Sequence, residues 1–145
     1  MEFIKGNLLD LFENQAFDIL VHGCNCFHTM GAGIAKQIKD KYYEAYEADL
    51  QTLKGDKNKL GTYTLYQVNN SQCIINAYTQ YHYYGKKPIN YDALRNVFKL
   101  IDENFKNKKI GIPKIGSGLA KGDWKIIQKM IEEENHHNII TCVIL

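Results

Sequence analysis

The sequence predicts an α/β domain in which helices cover both faces of a mixed β-sheet. Three observations predict it. Short apolar runs alternate with stretches of helical periodicity through most of the 145 residues. One Thr- and Tyr-rich hairpin interrupts that alternation. Two of the apolar runs, ending near Val21 and Pro113, each lead into a glycine-rich loop and then into a helix start.

Taken in order, Glu2 to Lys5 reads as a first strand ended by Gly6 and Asn7. Leu8, Leu9, Leu11 and Phe12 make a brief helical turn. Phe17 to Val21 is a strand, because Ile19, Leu20 and Val21 form a run suited to burial and too short for a helix. From Gly33, Ile34, Ile38 and Tyr42 recur every four residues, which predicts a helix to about Tyr43 and a second helical stretch through Leu53. Lys54 to Lys59 is a polar turn. Thr62 to Val68 alternates as a half-buried strand does, and Asn69 to Gln72 turns the chain into Cys73 to Thr79. Gln80 to Pro88 is an aromatic, irregular loop. Asn90 then caps a helix with the apolar face Leu94, Val97, Phe98, Ile101 and Phe105. Lys109 to Pro113 is a short buried strand. Asp123 caps a helix facing the core with Trp124, Ile127, Met130 and Ile131, and Ile139 to Leu145 is the last strand. No repeat or linker divides residues 1–145, so one domain is expected.

Composition narrows the function classes. A 45% hydrophobic and 23% charged chain is an ordinary globular sequence. Its net charge of +2 gives no strong electrostatic case for nucleic acid or a membrane as partner. No apolar run approaches membrane-spanning length and nothing resembles a signal peptide, so a cytoplasmic location and a monomer are the expectations. Cys24, Cys26, Cys73 and Cys142 do not have zinc-pair spacing, and three lie in or beside predicted strands, as small buried hydrophobes do. Cys26 sits in the glycine loop, where a thiol nucleophile is the alternative reading.

The two glycine loops carry the functional signal. Gly23, Gly31 and Gly33 supply backbone freedom beside the polar heads of His22, Asn25 and His28. Lys114 to Gly122 forms the second loop, with Gly116, Gly118 and Gly122. At the carboxyl end of a strand, free N–H groups and a helix dipole favour an anion. The plain alternative is that these glycines relieve turn strain. Two such loops at one end of a sheet suit a diphosphate, or a sugar flanked by phosphates. Neither loop has the P-loop ending or the Gly-x-Gly-x-x-Gly spacing.

Taken together, FIKGNLL, HGCNCFHTMGAGIA, IPKIGSGLAKGDW and the terminal strand resemble a macrodomain, the ADP-ribose-binding module with a three-layer α/β/α fold and a mixed central sheet. The resemblance covers nearly the whole chain. It is nearest to the short branch holding ADP-ribose-1″-phosphate phosphatases and terminal ADP-ribose glycohydrolases. It implies that Asn7 stands where many members use an aspartate to accept from the adenine amine, and that Asn25 contacts the terminal ribose. It also implies that Gly31, Gly33 and Ile34, with Gly116, Ser117, Gly118 and Leu119, surround the diphosphate and that ribose. Leu8, Met30, Pro113 and Ile115 complete the implied ligand set, with Ser117 to Leu119 as N–H donors.

Departures from the family bear on chemistry. The glycohydrolase lysine and aspartate correspond here to Gln80 and Ala120, which supply neither an amine nor a base. Lys86 or Lys87 could substitute only with a shifted loop. His22, which corresponds to a histidine in the phosphatase branch, is a candidate general acid or base, or else a histidine packed at a strand end. Asp123 is a candidate base, although a helix cap is the better-supported reading. His28 lines the ribose pocket or faces solvent. Tyr78, Tyr81, Tyr83 and Tyr84 are the candidate rings to flank the adenine or the terminal ribose. No metal ligands converge, so metal-independent hydrolysis without a cofactor is expected. The leading expectation is therefore a phosphatase converting ADP-ribose 1″-phosphate to ADP-ribose, with catalytic His22, Asn25 and Asp123. The alternatives are a hydrolase releasing ADP-ribose from modified protein or nucleic acid, and a non-catalytic ADP-ribose reader.

Overall fold

A computed structural model describes residues 1–83 and 88–145. The chain runs β1 (Glu2–Lys5), α1 (Leu8–Glu13), β2 (Ile19–Cys24), α2 (Gly33–Lys41), α3 (Tyr43–Leu50), β3 (Tyr63–Gln67), β4 (Cys73–Tyr78), α4 (Tyr91–Asn104), β5 (Lys109–Ile112), α5 (Trp124–Glu134) and β6 (Ile139–Ile144). The six strands form one sheet in the order β1-β6-β5-β2-β4-β3. Every pairing is parallel except β3 with β4, the predicted hairpin.

Central strands lie under helices on both faces, which is why β2 and β4 read as nearly continuous apolar runs. Alternation along each strand divides the core. Leu20 and Ile74 join Phe12, Ile38 and Ala45 beneath α1, α2 and α3. Ile19, Val21 and Ile75 join Leu94, Phe98, Ile101, Ile127 and Ile131 beneath α4 and α5. The result is the three-layer α/β/α arrangement with a mixed sheet.

Two boundaries differ from expectation. β2 continues past Val21 to Cys24, because His22 pairs in register with Asn76 of β4 and Nε2 of His22 meets Asn76 Oδ1 at 2.6 Å. A polar residue can sit mid-strand when a neighbouring strand satisfies it. The helical stretch after Gly33 breaks at Tyr42 (φ −127°, ψ 71°), next to the expected break near Tyr43, and its second part ends at Leu50 rather than Leu53. No helix among the described residues is long and apolar enough to cross a membrane.

Candidate functional site

β2 and β5 are parallel neighbours, with Ile19 beside Ile110 and Leu20 beside Gly111. Their carboxyl ends therefore open at the same edge of the sheet. The loops that follow, 25–32 and 113–123, meet there across a cavity of about 620 Å³. Asn25, Gly31, Gly33, Ile34, Pro113, Ile115, Gly116, Gly118 and Leu119, all expected on the ligand, line it. Gly23, Cys24, Thr29, Ala32, Ala35, Gln80, Tyr83, Lys114 and Ala120 line it as well.

The donors come from two places. α1, α4 and α5 begin on Asn7, Asn90 and Asp123, whose side chains accept from Asp10 N, Ala93 N and Lys125 N. α2 instead begins on Ala32, which has no side chain able to cap it. Its first-turn N–H groups, Ile34 and Ala35, have no acceptor among the described residues and sit at the positive end of the helix. Opposite them, the N–H groups of Gly116, Gly118, Leu119 and Ala120 likewise have no acceptor among the described residues. The loop presenting them is closed by Gly122 N donating to Gly116 O at 2.7 Å. Gly116 needs its glycine (φ +78°), and a Cβ on Gly122 would lie 2.6 Å from Gly116 O.

Gly31 and Gly118 are different. Neither has a left-handed φ, and a Cβ on either would meet nothing within 4 Å. Turn strain does not explain them. Their missing side chains keep the cavity open.

Several expected residues lie elsewhere. His22 does not line the cavity: it is fully buried against Asn76, and burial lowers its pKa to about 4, opposed by the Asn76 hydrogen bond. A sealed, neutral imidazole is placed for packing rather than for proton transfer to a ligand. Asp123 is exposed and caps α5, with its side chain accepting from Lys125 N. Asn7 spends its side-chain oxygen on Asp10 N, 3.1 Å away, and does not line the cavity. Leu8 and Met30 are buried in the core under α1–α3. Ser117 is committed within its own loop, with N and Oγ both donating to Lys114 O, so only Gly118 and Leu119 of the expected donors are open.

Asn25 lines the cavity with its amide partly committed. Nδ2 donates to Thr29 Oγ1 (2.6 Å) and Thr29 O (3.1 Å), and Oδ1 accepts from Phe27 N (2.8 Å). One lone pair on Oδ1 is left over. His28 Nε2 donates to Thr52 O, which fixes the back of the loop. Among the rings, Tyr78 is buried with its hydroxyl donating to Asp49, and Tyr81 donates to Gly55 O. Tyr83, 57% exposed, lines the cavity. Tyr84, Lys86 and Lys87 lie outside the described residues. The four cysteines are free and buried. Burial raises the Cys26 pKa to about 11, which makes it a poor nucleophile.

Sequence reading missed Ala32 and Lys114. An alanine where three other helices start on Asn or Asp was the available signal for the first. Among the described residues, Lys114, the Tyr83 phenol and the buried Cys24 thiol are the ionisable side chains lining the cavity, and Lys114 is the cation among them.

Known proteins share this architecture. An uncharacterised 17.5 kDa protein of Enterobacteria phage T4 is 38% identical over 141 residues, covering 91% of this chain and 88% of its own length. A DNA ADP-ribosyl glycohydrolase of Thermus aquaticus is 24% identical over 138 residues, covering 92% of this chain and 37% of the relative. The chain thus spans little more than a third of that relative. The structure of Thermosipho africanus DarTG in complex with ADP-ribose superposes with a TM-score of 0.78 at 17% identity, covering all of this chain and 42% of the other. The Macro domain family model matches residues 21–131. The chain belongs to the Macro domain family.

Proposed function

We propose that the protein binds ADP-ribose in this cleft and hydrolyses ADP-ribose 1″-phosphate to ADP-ribose and phosphate. The observation that supports binding best is the pair of open donor sets, the uncapped start of α2 and the 116–120 loop, facing one cavity. A diphosphate satisfies both at once, and N–H groups at a helix start hold phosphate oxygens well. About 620 Å³ falls within the range of small-molecule sites. The spare Oδ1 lone pair of Asn25 would accept from a hydroxyl of the terminal ribose.

What the cleft offers supports this reaction. Among the described residues, no carboxylate or imidazole lines it. Such a site suits a leaving group that departs as a stable anion without being protonated. Phosphate on the anomeric carbon, as the singly protonated ester, is one: the C1″–O bond breaks and its electron pair leaves with hydrogen phosphate. Water then adds to C1″ and yields its proton to the phosphate, while the ring oxygen shares the positive charge. A nucleobase leaving through nitrogen needs acid assistance, and Gln80 and Ala120 supply none. That argues for the phosphate ester over the second reading, removal of ADP-ribose from modified DNA, which the Thermus aquaticus relative's name suggests.

Incubation with ADP-ribose 1″-phosphate in oxygen-18 water, followed by chromatography and mass spectrometry, tests the reading. Release of unlabelled phosphate is expected. Label in the phosphate would overturn the bond assignment. Binding of ADP-ribose without phosphate release would overturn the hydrolase and leave a reader, and release from a base-linked adduct alone would select the DNA-directed reading.

A further inference from the structure

We propose that Lys114 is the cation this cleft offers to the ligand's diphosphate, so that affinity for ADP-ribose depends on ionic strength through this one side chain. The inference rests on the reading that ADP-ribose binds here. Three observations carry it. Lys114 lines the cavity on the loop that supplies four of the six open N–H groups. Its backbone is fixed, because Ser117 Oγ (2.7 Å) and Ser117 N (3.2 Å) both donate to its carbonyl. Its ammonium makes no ion pair among the described residues, whereas the nearby Lys36 on α2 is committed to Asp40 at 2.7 Å.

A neighbouring thiol senses the charge. Burial pushes the Cys142 thiol up to about 11, and Lys114 opposes that rise from across the β5–β6 pair. Lys114 follows β5, whose Ile112 pairs with Cys142 of β6, so its backbone enters the cleft from the β5–β6 side of the sheet. Backbone donors and a helix start offer only partial charges, roughly half an elementary charge at the helix end. A full positive charge on the opposite wall complements a doubly negative bridge in a half-open, low-dielectric cleft.

The test is calorimetric binding of ADP-ribose to wild type, Lys114→Gln and Lys114→Arg across a salt series, with melting temperatures measured without ligand. At about 50 mM salt, Lys114→Gln should bind about tenfold more weakly, and the gap should close near about 0.5 M, where screening reaches a few ångströms. Lys114→Arg should bind as wild type does, and all three should melt together. Equal affinity of Lys114→Gln and wild type at low salt would overturn the inference while leaving the binding site standing. So would a loss that persists unchanged at high salt. A wild type that binds no ADP-ribose would instead overturn the parent reading.

Discussion

Replacing Ala32 by Asp should stabilise the free protein and nearly abolish ADP-ribose binding, two effects of opposite sign from one side chain. Ala32 is already extended, with φ −148° and ψ 158°, as a helix cap requires. Asp in place of Ala at such a position contributes about 1 kcal/mol. Its charge at the positive end of α2 adds about 0.3–1 kcal/mol. In a chain of this size, a gain of about 1 kcal/mol raises the melting temperature by about 2–4 °C. The same carboxylate occupies an N–H group of Ile34 or Ala35 and opposes the diphosphate. Like charges about 4 Å apart repel by roughly 4 kcal/mol at an effective dielectric constant near 20. Losing one charge-assisted hydrogen bond costs a further ~1.5–3 kcal/mol. Partial exposure and rearrangement reduce the sum, yet a loss of at least about a hundredfold in affinity should remain. Ala32→Ser separates the two effects, since it caps without charge and should weaken binding by about tenfold at most. Thermal unfolding and calorimetry measure both quantities. An Asp variant that melts higher and binds as wild type does would refute a diphosphate at the start of α2. One that melts lower would refute the uncapped terminus.

Gly118→Val adds a side chain where a Cβ meets nothing within 4 Å. Stability should stay within about 1 kcal/mol of wild type while ADP-ribose affinity falls at least about tenfold, read by the same two methods. His22 gives a pH signature. Its folded pKa, near 4, lies below the unfolded value of 6.5, so the unfolded chain takes up a proton that the fold refuses. Stability should therefore be constant above pH 6.5 and fall as the pH drops toward 4, by about 3 kcal/mol in all. His22→Gln should flatten that slope in denaturant titrations and, at neutral pH, leave ADP-ribose affinity within about threefold. Gln72, buried, donates to both Phe12 O and Phe17 O. Gln72→Leu should cost about 1–3 kcal/mol in urea unfolding, because Phe17 O loses its side-chain donor while Phe12 O keeps Gln15 N, without changing affinity.

Much of this was legible in the sequence, and the misses have physical causes. The strands and helices followed from apolar spacing, and Asn90 and Asp123 were found as caps because Asx residues before an apolar period have few other uses. The two loops were found for the same reason, since glycines clustered after a buried strand are uncommon. What the sequence could not display was lateral satisfaction. His22 looked like a polar head on a loop, but its partner Asn76 lies 54 residues away on the neighbouring strand, and the pair turns a candidate acid into a core residue. Ser117 looked like a donor, yet a three-residue turn directs it at Lys114 O. Asn7 caps α1 with its side-chain oxygen, a role the Asn-before-apolar pattern allows but the sequence reading did not name. Alanine at position 32 carries no chemistry of its own, so the open helix start was visible only once the helix boundary was known.

Titration of the isotopically labelled protein with ADP-ribose, followed residue by residue through its amide resonances, tests the diphosphate site most directly. The N–H groups of Ile34, Ala35, Gly118 and Leu119 should move downfield together, with one saturation curve, as they acquire acceptors. Saturable binding that leaves those four resonances in place would contradict a diphosphate held between the start of α2 and the loop after β5.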